Sequence, residues 1–323
     1  MKAAVVTSPG TKPTFGEFPN PASRGDLEVI TVTAAALTNL TKGRAAGSHY
    51  SADNHYPFVP GVDGVGTLAD GRRVFFAMPE APFGAMAEQT LVDPRRTITL
   101  PDNLDDVAAA ALANLGMSCF AALVERARFL TGETVLINGA TGAAGFVAVQ
   151  VAKQLGAGKV IVTGRNAQEL DTLRSLGADV VIPFDLRPEN PQGVERFEQT
   201  LVSAFSNGLD VVVDYLWGSS ARTIIVAVAK AVEDAHPVRF VQVGEASREP
   251  VELPAAALRS SAIQIMGSGL KSVPLAKLLE GIRQTFELAA HGKLCLPTKV
   301  VPLSTVTKNW EAPGRPRLVF TLK

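Results

Sequence analysis

Cysteine is nearly absent. The 323 residues contain only Cys119 and Cys295, far apart in the chain, which excludes a disulfide framework and suits a reducing compartment. An excess of either charge is missing as well. Lys and Arg number 31, Asp and Glu number 31, so neither nucleic acid nor an anionic membrane is expected as the main partner. No apolar stretch reads as long enough to cross a bilayer. The N-terminus, Met1 to Gly10, reaches a Ser-Pro-Gly turn too soon for a signal peptide, and a cytoplasmic protein is expected. Internal repeats and low-complexity segments are also lacking. What is present is 46% hydrophobic and 19% charged residues, the balance of a globular chain with a large core and length for two domains.

The most informative stretch is Thr134-Val-Leu-Ile-Asn-Gly-Ala-Thr-Gly-Ala-Ala-Gly145. A short apolar run, Thr134 to Ile137, reads as a buried parallel strand. Gly139, Gly142 and Gly145 follow, and Phe146–Leu155 has the pattern of a helix packed on a sheet. A strand that feeds a helix through glycines lets backbone approach a pyrophosphate. The helix N-terminus then offers free N–H groups and partial positive charge to the anion. The spacing is GxxGxxG rather than GxGxxG, so the context of strand, turn and helix carries the reading. It makes Thr141, Gly142, Ala143, Ala144 and Gly145 candidate dinucleotide-binding residues.

About 130 residues precede this turn. In them Lys2–Val6, Leu27–Ala36, Arg73–Ala77 and Gly84–Val92 read as strands, with an Asp70-Gly71 hairpin turn before the third. Leu37–Gly47 is ambiguous, with a short helix as one reading. Asp102–Ala113 and Gly116–Arg126 read as two alanine-rich helices. From Thr134 onward, strands at 135–138, 160–163, 180–182, 211–214, 240–243 and 263–266 alternate with helices, the pattern of a doubly wound parallel sheet. Pro274–Ala290 reads as an amphipathic helix and Arg317–Leu322 as a last strand returning to the first domain. The fold class expected is α/β: a β-rich domain with a Rossmann domain inserted after it.

These pieces resemble the medium-chain dehydrogenase/reductase superfamily, in its zinc-free quinone oxidoreductase branch. The matching segments are Met1-Lys-Ala-Ala-Val-Val6, Val59-Pro-Gly-Val-Asp-Gly-Val-Gly66, Asp70-Gly-Arg-Arg-Val-Phe75, Gly84-Ala-Met-Ala-Glu88, Asn138–Gly145, Leu176–Ile182, Asp210–Asp214 and Gly314-Arg-Pro-Arg-Leu-Val319. The resemblance implies a GroES-like catalytic domain over residues 1–115. It places a Rossmann domain over 116–269 and a C-terminal helix and strand over 270–323 that return to the first domain. It also implies a homodimer. No metal is expected. Asn39 stands about where zinc relatives place their first cysteine, Asp63 takes the slot of their His-Glu, and the four-cysteine lobe is missing. His49 and His55 could meet Asp53, but without a thiolate they read as polar loop residues.

The cofactor expected is NADPH. The second strand of the insert ends in Thr163-Gly-Arg-Asn166, with no acid to bind a ribose 2′-hydroxyl or repel a 2′-phosphate. Arg165 suits a phosphate, with Thr163 and Asn166 as added donors beside Gly164. Asn166 is equally suited to capping the next helix. Val243, Gly244, Gly267 and Gly269 match segments that flank the nicotinamide in the family, and Arg317 lies near a position close to the cofactor phosphates. Tyr215 and Trp217 read either as a border to ribose or adenine or as packing. In the first domain Asn39 matches an asparagine near the nicotinamide and Tyr50 a substrate-loop tyrosine able to donate a proton. The sequence departs from the family at Lys42 and Arg44, which read more readily as solvated helix charges. The reaction implied is hydride transfer from NADPH to a small-molecule electron acceptor, a quinone or α,β-unsaturated carbonyl. A free-standing enoyl reductase and a non-catalytic NADPH-binding protein are the alternatives.

Overall fold

The computed structural model describes residues 1–52 and 55–322. The backbone divides into two compact units, Met1–Asn114 with Ile282–Lys323, and Leu115–Gly281. Sequence reasoning puts the boundaries after 115 and after 269. Both observed divisions fall inside helices, where no proline or cap marks a border.

The first unit begins with β1 (Lys2–Val5), β2 (Thr14–Glu17), β3 (Glu28–Ala36), α1 (Asn39–Ala45), β4 (Asp63–Thr67), β5 (Arg73–Ala77), β6 (Gln89–Val92), β7 (Thr97–Thr99) and the start of α2 (Asp106–Phe120). The second contains β8 (Thr134–Asn138), α3 (Ala143–Gln154), β9 (Lys159–Gly164), α4 (Ala167–Thr172), β10 (Val180–Pro183), α5 (Gly193–Phe205), β11 (Val211–Asp214), α6 (Gly218–Ala231), β12 (Pro237–Gln242), α7 (Ala255–Arg259) and β13 (Ala262–Gly267). After α8 (Leu275–Ala290) the chain adds β14 (Thr298–Pro302), α9 (Val306–Asn309) and β15 (Arg317–Thr321) to the first unit.

In the first unit the sheet order is β14-β15-β3-β4-β5-β7, with β6 also on β3, while β1 and β2 form a separate pair. The C-terminal strand β15 runs antiparallel to β3, with Phe320 opposite Ala35, so the tail returns as expected. Ile30, Phe76, Met86 and Phe320 fill the core. Three strands escape the pattern reading. β2 and β14 are exposed along most of their length, and β7 is three residues long. Backbone ladders rather than buried faces create them, and hydrophobic periodicity carries no trace of a ladder. The strand expected from Gly84 begins only at Gln89. Gly84 passes so close to the Val59 and Pro60 carbonyls that a Cβ there would overlap both.

The second unit is a parallel six-stranded sheet in the order β10-β9-β8-β11-β12-β13. Its order reverses between β8 and β11, and ligands bind at such a reversal, outside the carboxyl ends of the strands. Val135, Leu136, Ile137, Val160, Ile161, Val162, Val211, Val212 and Val213 are fully buried, which is why these segments read as continuous apolar runs.

One expectation is corrected. The two helices expected at 102–126 are continuous: α2 runs on into a π-helical stretch, Ala121–Arg126. Gly116 does not interrupt it, because an isolated glycine costs a helix only about 1 kcal/mol. The joined segment, Asp106–Arg126, is long and apolar enough to cross a membrane, but 67% of its apolar window is buried inside the protein, as in a core helix.

Candidate functional site

β8 ends at Asn138, and the chain turns through Gly139, whose φ of +87° is open to glycine at little cost. The N–H groups of Gly139 and Ala140 donate to the Thr163 carbonyl at 3.1 and 3.0 Å, which anchors the turn on β9. Gly142 is the N-cap of α3, and no side chain caps this helix. The N–H groups of its first turn, from Ala143 onward, therefore face outward without intrahelical partners. The other two glycines differ in kind. A Cβ on Gly145 would lie 2.5 Å from the Gly139 carbonyl oxygen and 2.6 Å from the Ala140 Cα, so helix and turn pack backbone to backbone. A Cβ on Gly142 would meet only the Gly139 carbonyl oxygen, at 3.4 Å. Nothing in the protein demands a glycine there; the space above it is open.

Beside the turn, β9 ends at Gly164, and a Cβ on it would lie 3.2 Å from the Thr141 methyl. Arg165 follows on the surface, and Asn166 caps α4, accepting from the Gln168 and Glu169 N–H groups. The capping role is realised through its Oδ1. Thr163 is different from expectation. It is fully buried, and its hydroxyl donates to Asn138 Oδ1 at 2.6 Å, so it points into the sheet rather than toward a ligand. The segments after β12 and β13 close the same end of the sheet. Val243 and Gly244 donate N–H groups to the Asp214 carbonyl at 2.8 and 3.1 Å. Ser268, between Gly267 and Gly269, donates to the Gln242 carbonyl at 2.8 Å.

Asp214, at the end of β11, was not singled out from the sequence. Burial pushes its carboxyl up to about 6, although the Leu216 and Trp217 N–H groups and the Asn138 amide favour the anion. A polar residue closing an otherwise apolar strand was the available signal, at Asn138 and again at Asp214. Tyr215 packs inward, its hydroxyl 3.3 Å from Cys119 Sγ, which settles its role as packing. Trp217 packs edge-on against Phe240 with ring centroids 6.4 Å apart and holds a φ of +63°, a conformation costly for any residue but glycine.

The remaining candidates lie in the first unit. Asn39 is exposed at the first turn of α1, which Thr38 caps. Tyr50 is 58% exposed and stacks on His49 with centroids 4.1 Å apart. His49 shares a hydrogen bond with Ser51 Oγ at 2.8 Å, and burial followed by the Arg44 charge lowers its pKa. Asp53, the acid placed with these histidines, lies outside the described residues. Lys42 and Arg44 are not simply solvated. The Lys42 ammonium donates to the Ala312 carbonyl at 2.8 Å, while Arg44 lines a cavity of about 80 Å³ with Thr41, Phe58, Val62, Met78 and Phe83. Arg317, expected near a position close to the cofactor phosphates, is a buried residue of the first unit. It is 4% exposed, donates to the Leu37 carbonyl at 3.0 Å, and leaves its Nε without a partner. Burial pulls it down to about 10 and the Asp63 charge holds it up.

Asp63 is the counterpart: burial raises it from 3.8 to about 7, and the Arg317 charge opposes the rise. Between those values the folded state keeps a proton that the unfolded chain releases. The stability Asp63 contributes is therefore complete below about pH 4 and lost as pH rises through about 7. Urea unfolding followed from pH 5 to pH 8 is expected to lose on the order of 2 kcal/mol from this group. Asp63→Asn should flatten the slope most clearly toward pH 7, where Asp214, pushed up to about 6, is completing its own titration while Asp63 still holds its proton. Slope is the readout, since Arg317 also loses its counter-charge, and an unchanged slope would remove Asp63 as the titrating group.

Comparison with known proteins places this geometry. A zinc-binding dehydrogenase family model matches residues 143–283, a segment without either cysteine of the chain. A probable NADPH-dependent quinone reductase of Emericella nidulans is 27% identical over 96% of both chains. The 2-methylene-furan-3-one reductase of Solanum lycopersicum is 32% identical over 51% of this chain and 46% of its own. The quinone oxidoreductase of Thermus thermophilus, whose structure with NADPH is also known, is 25% identical, with a TM-score of 0.79 over 100% of both chains. With the sheet order, the returning C-terminal strand and the mid-chain glycine turn, these likenesses support the medium-chain dehydrogenase/reductase superfamily, in its quinone reductase branch, as the family of this chain.

Proposed function

We propose that the protein is an NADPH-dependent reductase of quinones or α,β-unsaturated carbonyls, acting without zinc. The observation that carries this reading is the carboxyl end of the parallel sheet. There the uncapped N-terminus of α3 lies beneath the open space at Gly142, and Arg165 follows β9 with no acid in Gly164–Asn166. These residues fit a dinucleotide. The Ala143 and Ala144 N–H groups would hold the pyrophosphate, Arg165 the 2′-phosphate, and Val243, Gly244, Gly267 and Gly269 would border the nicotinamide. NADPH, when bound, supplies the hydride. Asn39 would orient the acceptor oxygen, and Tyr50 would hold a proton for it at the phenol. Arg317, given its burial, would act by positioning the segment around Leu37 more readily than by touching phosphate. The zinc-free reading is supported by the donor set: among the described residues no three His, Cys, Asp or Glu side chains could hold a metal ion. A homodimer is proposed on the family resemblance alone, and a cytoplasmic setting on the scarcity of cysteine.

The test is NADPH oxidation by the purified protein, scanned across quinones, alkenals, enones and carrier-linked enoyl thioesters. Turnover with at least one class is expected. Tight NADPH binding with no turnover on any acceptor would sink the enzyme reading and leave a cofactor-binding protein. Turnover confined to carrier-linked enoyl thioesters would favour the enoyl reductase.

A further inference from the structure

We infer that Asn138, assigned no part in the chemistry above, is the positioning residue of the dinucleotide turn: through Thr163, Asp214 and Ser220 it fixes where the turn's N–H groups point. The inference rests on the reading of that turn as the cofactor site.

Strand register supplies the first observation. Asn138 lies directly beside Thr163 on one neighbouring strand and Asp214 on the other. The three form a polar row across the carboxyl ends of these strands, and the three positions before each of them are apolar and fully buried. The row is joined by its side chains. The Asn138 Nδ2 donates to Asp214 Oδ1 at 2.8 Å and to Ser220 Oγ at 2.9 Å, while its Oδ1 accepts from the Thr163 hydroxyl at 2.6 Å. Both amide hydrogens and the amide oxygen are therefore engaged, and all four residues are buried.

The second observation is what hangs from the row. The Thr163 carbonyl receives the Gly139 and Ala140 N–H groups, the first two of the turn. The Asn138 carbonyl receives Tyr215 N–H, and the Asp214 carbonyl receives Val243 and Gly244 N–H. The Asp214 carboxylate accepts from Leu216 and Trp217 N–H. Loops following β8, β11 and β12 are thus tied to three strand-end residues that the Asn138 side chain joins to one another.

Apolar residues would pack this row at no desolvation cost, so stability alone does not account for it. Directional hydrogen bonds do what packing cannot: they forbid the strand ends to slide, and so hold the turn at one height against the ligand. The row lies beneath the reversal in sheet order, where the turn must be aimed.

The experiment is titration of purified protein with NADPH, followed by quenching of protein fluorescence. It is run well below the unfolding midpoint of each variant, with folding checked by circular dichroism. Thr163→Val keeps the shape and removes the donor to Asn138. It is expected to raise Kd about tenfold, the equivalent of one buried hydrogen bond, and Thr163→Ser to restore Kd to within about twofold, since it returns the hydroxyl. Ser220→Ala, which leaves the Thr163 and Asp214 bonds in place, is expected to raise Kd severalfold, and decides the question alone if Thr163→Val does not fold. A lowered unfolding midpoint with unchanged Kd in the folded variants would overturn the assignment, because a merely structural row predicts that outcome. Wild-type protein that binds no NADPH would overturn the reading of the site and this inference with it, a result distinct from equal binding by all variants.

Discussion

Gly145→Ala is expected to destabilise the nucleotide-binding unit severely, whereas Gly142→Val is expected to leave it folded and weaken its hold on NADPH. The two glycines are three residues apart in one turn, and the sequence presents them alike. At Gly145 the added methyl meets main chain on two sides, 2.5 and 2.6 Å away. Main chain cannot step aside as a side chain can, and the turn is itself tied to the Thr163 carbonyl. A cost at or above the upper end of ordinary overpacking, about 3 kcal/mol, is expected, a large part of the stability of a typical domain. At Gly142 the backbone is extended, with φ of −71° and ψ of 160°, a conformation that valine favours. Loss of the glycine cap costs under about 1 kcal/mol. The side chain would instead fill the space through which a phosphate reaches the first N–H groups of α3. Losing one or two charge-assisted hydrogen bonds there weakens binding by about 10- to 100-fold or more. Urea unfolding and NADPH titration separate the two effects. Gly145→Ala with wild-type stability would show that the turn is not packed as described, and Gly142→Val with wild-type affinity would move the dinucleotide elsewhere.

Arg165→Asp should reverse the choice of nicotinamide. Arg165 is exposed just past β9, and no hydrogen bond or ion pair engages it among the described residues, so its guanidinium is available to a 2′-phosphate. An aspartate at this strand end replaces attraction by repulsion and offers an acceptor to the 2′-hydroxyl of NADH. A charged hydrogen bond contributes about 1.5–3 kcal/mol, and reversing the charge adds to its loss. The ratio of NADPH to NADH in kcat/KM is therefore expected to fall by about 100-fold or more. Asn166 keeps its cap on α4 in either case, so unfolding should change little. An unaltered ratio would take Arg165 out of the site.

Much of the second unit was legible in the chain. Its strands are apolar throughout because both faces are covered, and runs such as Val211–Val213 announce themselves without tertiary information. The glycine turn was legible for a related reason: Gly139 needs a positive φ and Gly145 a bare Cα, and both needs are local to a strand that feeds a helix. The first unit was less legible. β2 and β14 exist because a neighbouring backbone pairs with them, and nothing in their own side chains requires it. The continuity of α2 through Gly116 was missed because a lone glycine reads as a break in sequence but is tolerated where burial holds the helix.

The sequence by itself determined the glycine turn and the missing acid after β9, because residue type and spacing alone carry those features. Tertiary structure alone decided which neighbours meet. It turned Thr163 into the sheet and gave its hydroxyl to Asn138. It buried Arg317 and Asp63 close enough to shift each other's ionisation. Parallel-strand register fixes the first of these, and no run of residues reports the register of a strand with another distant in the chain.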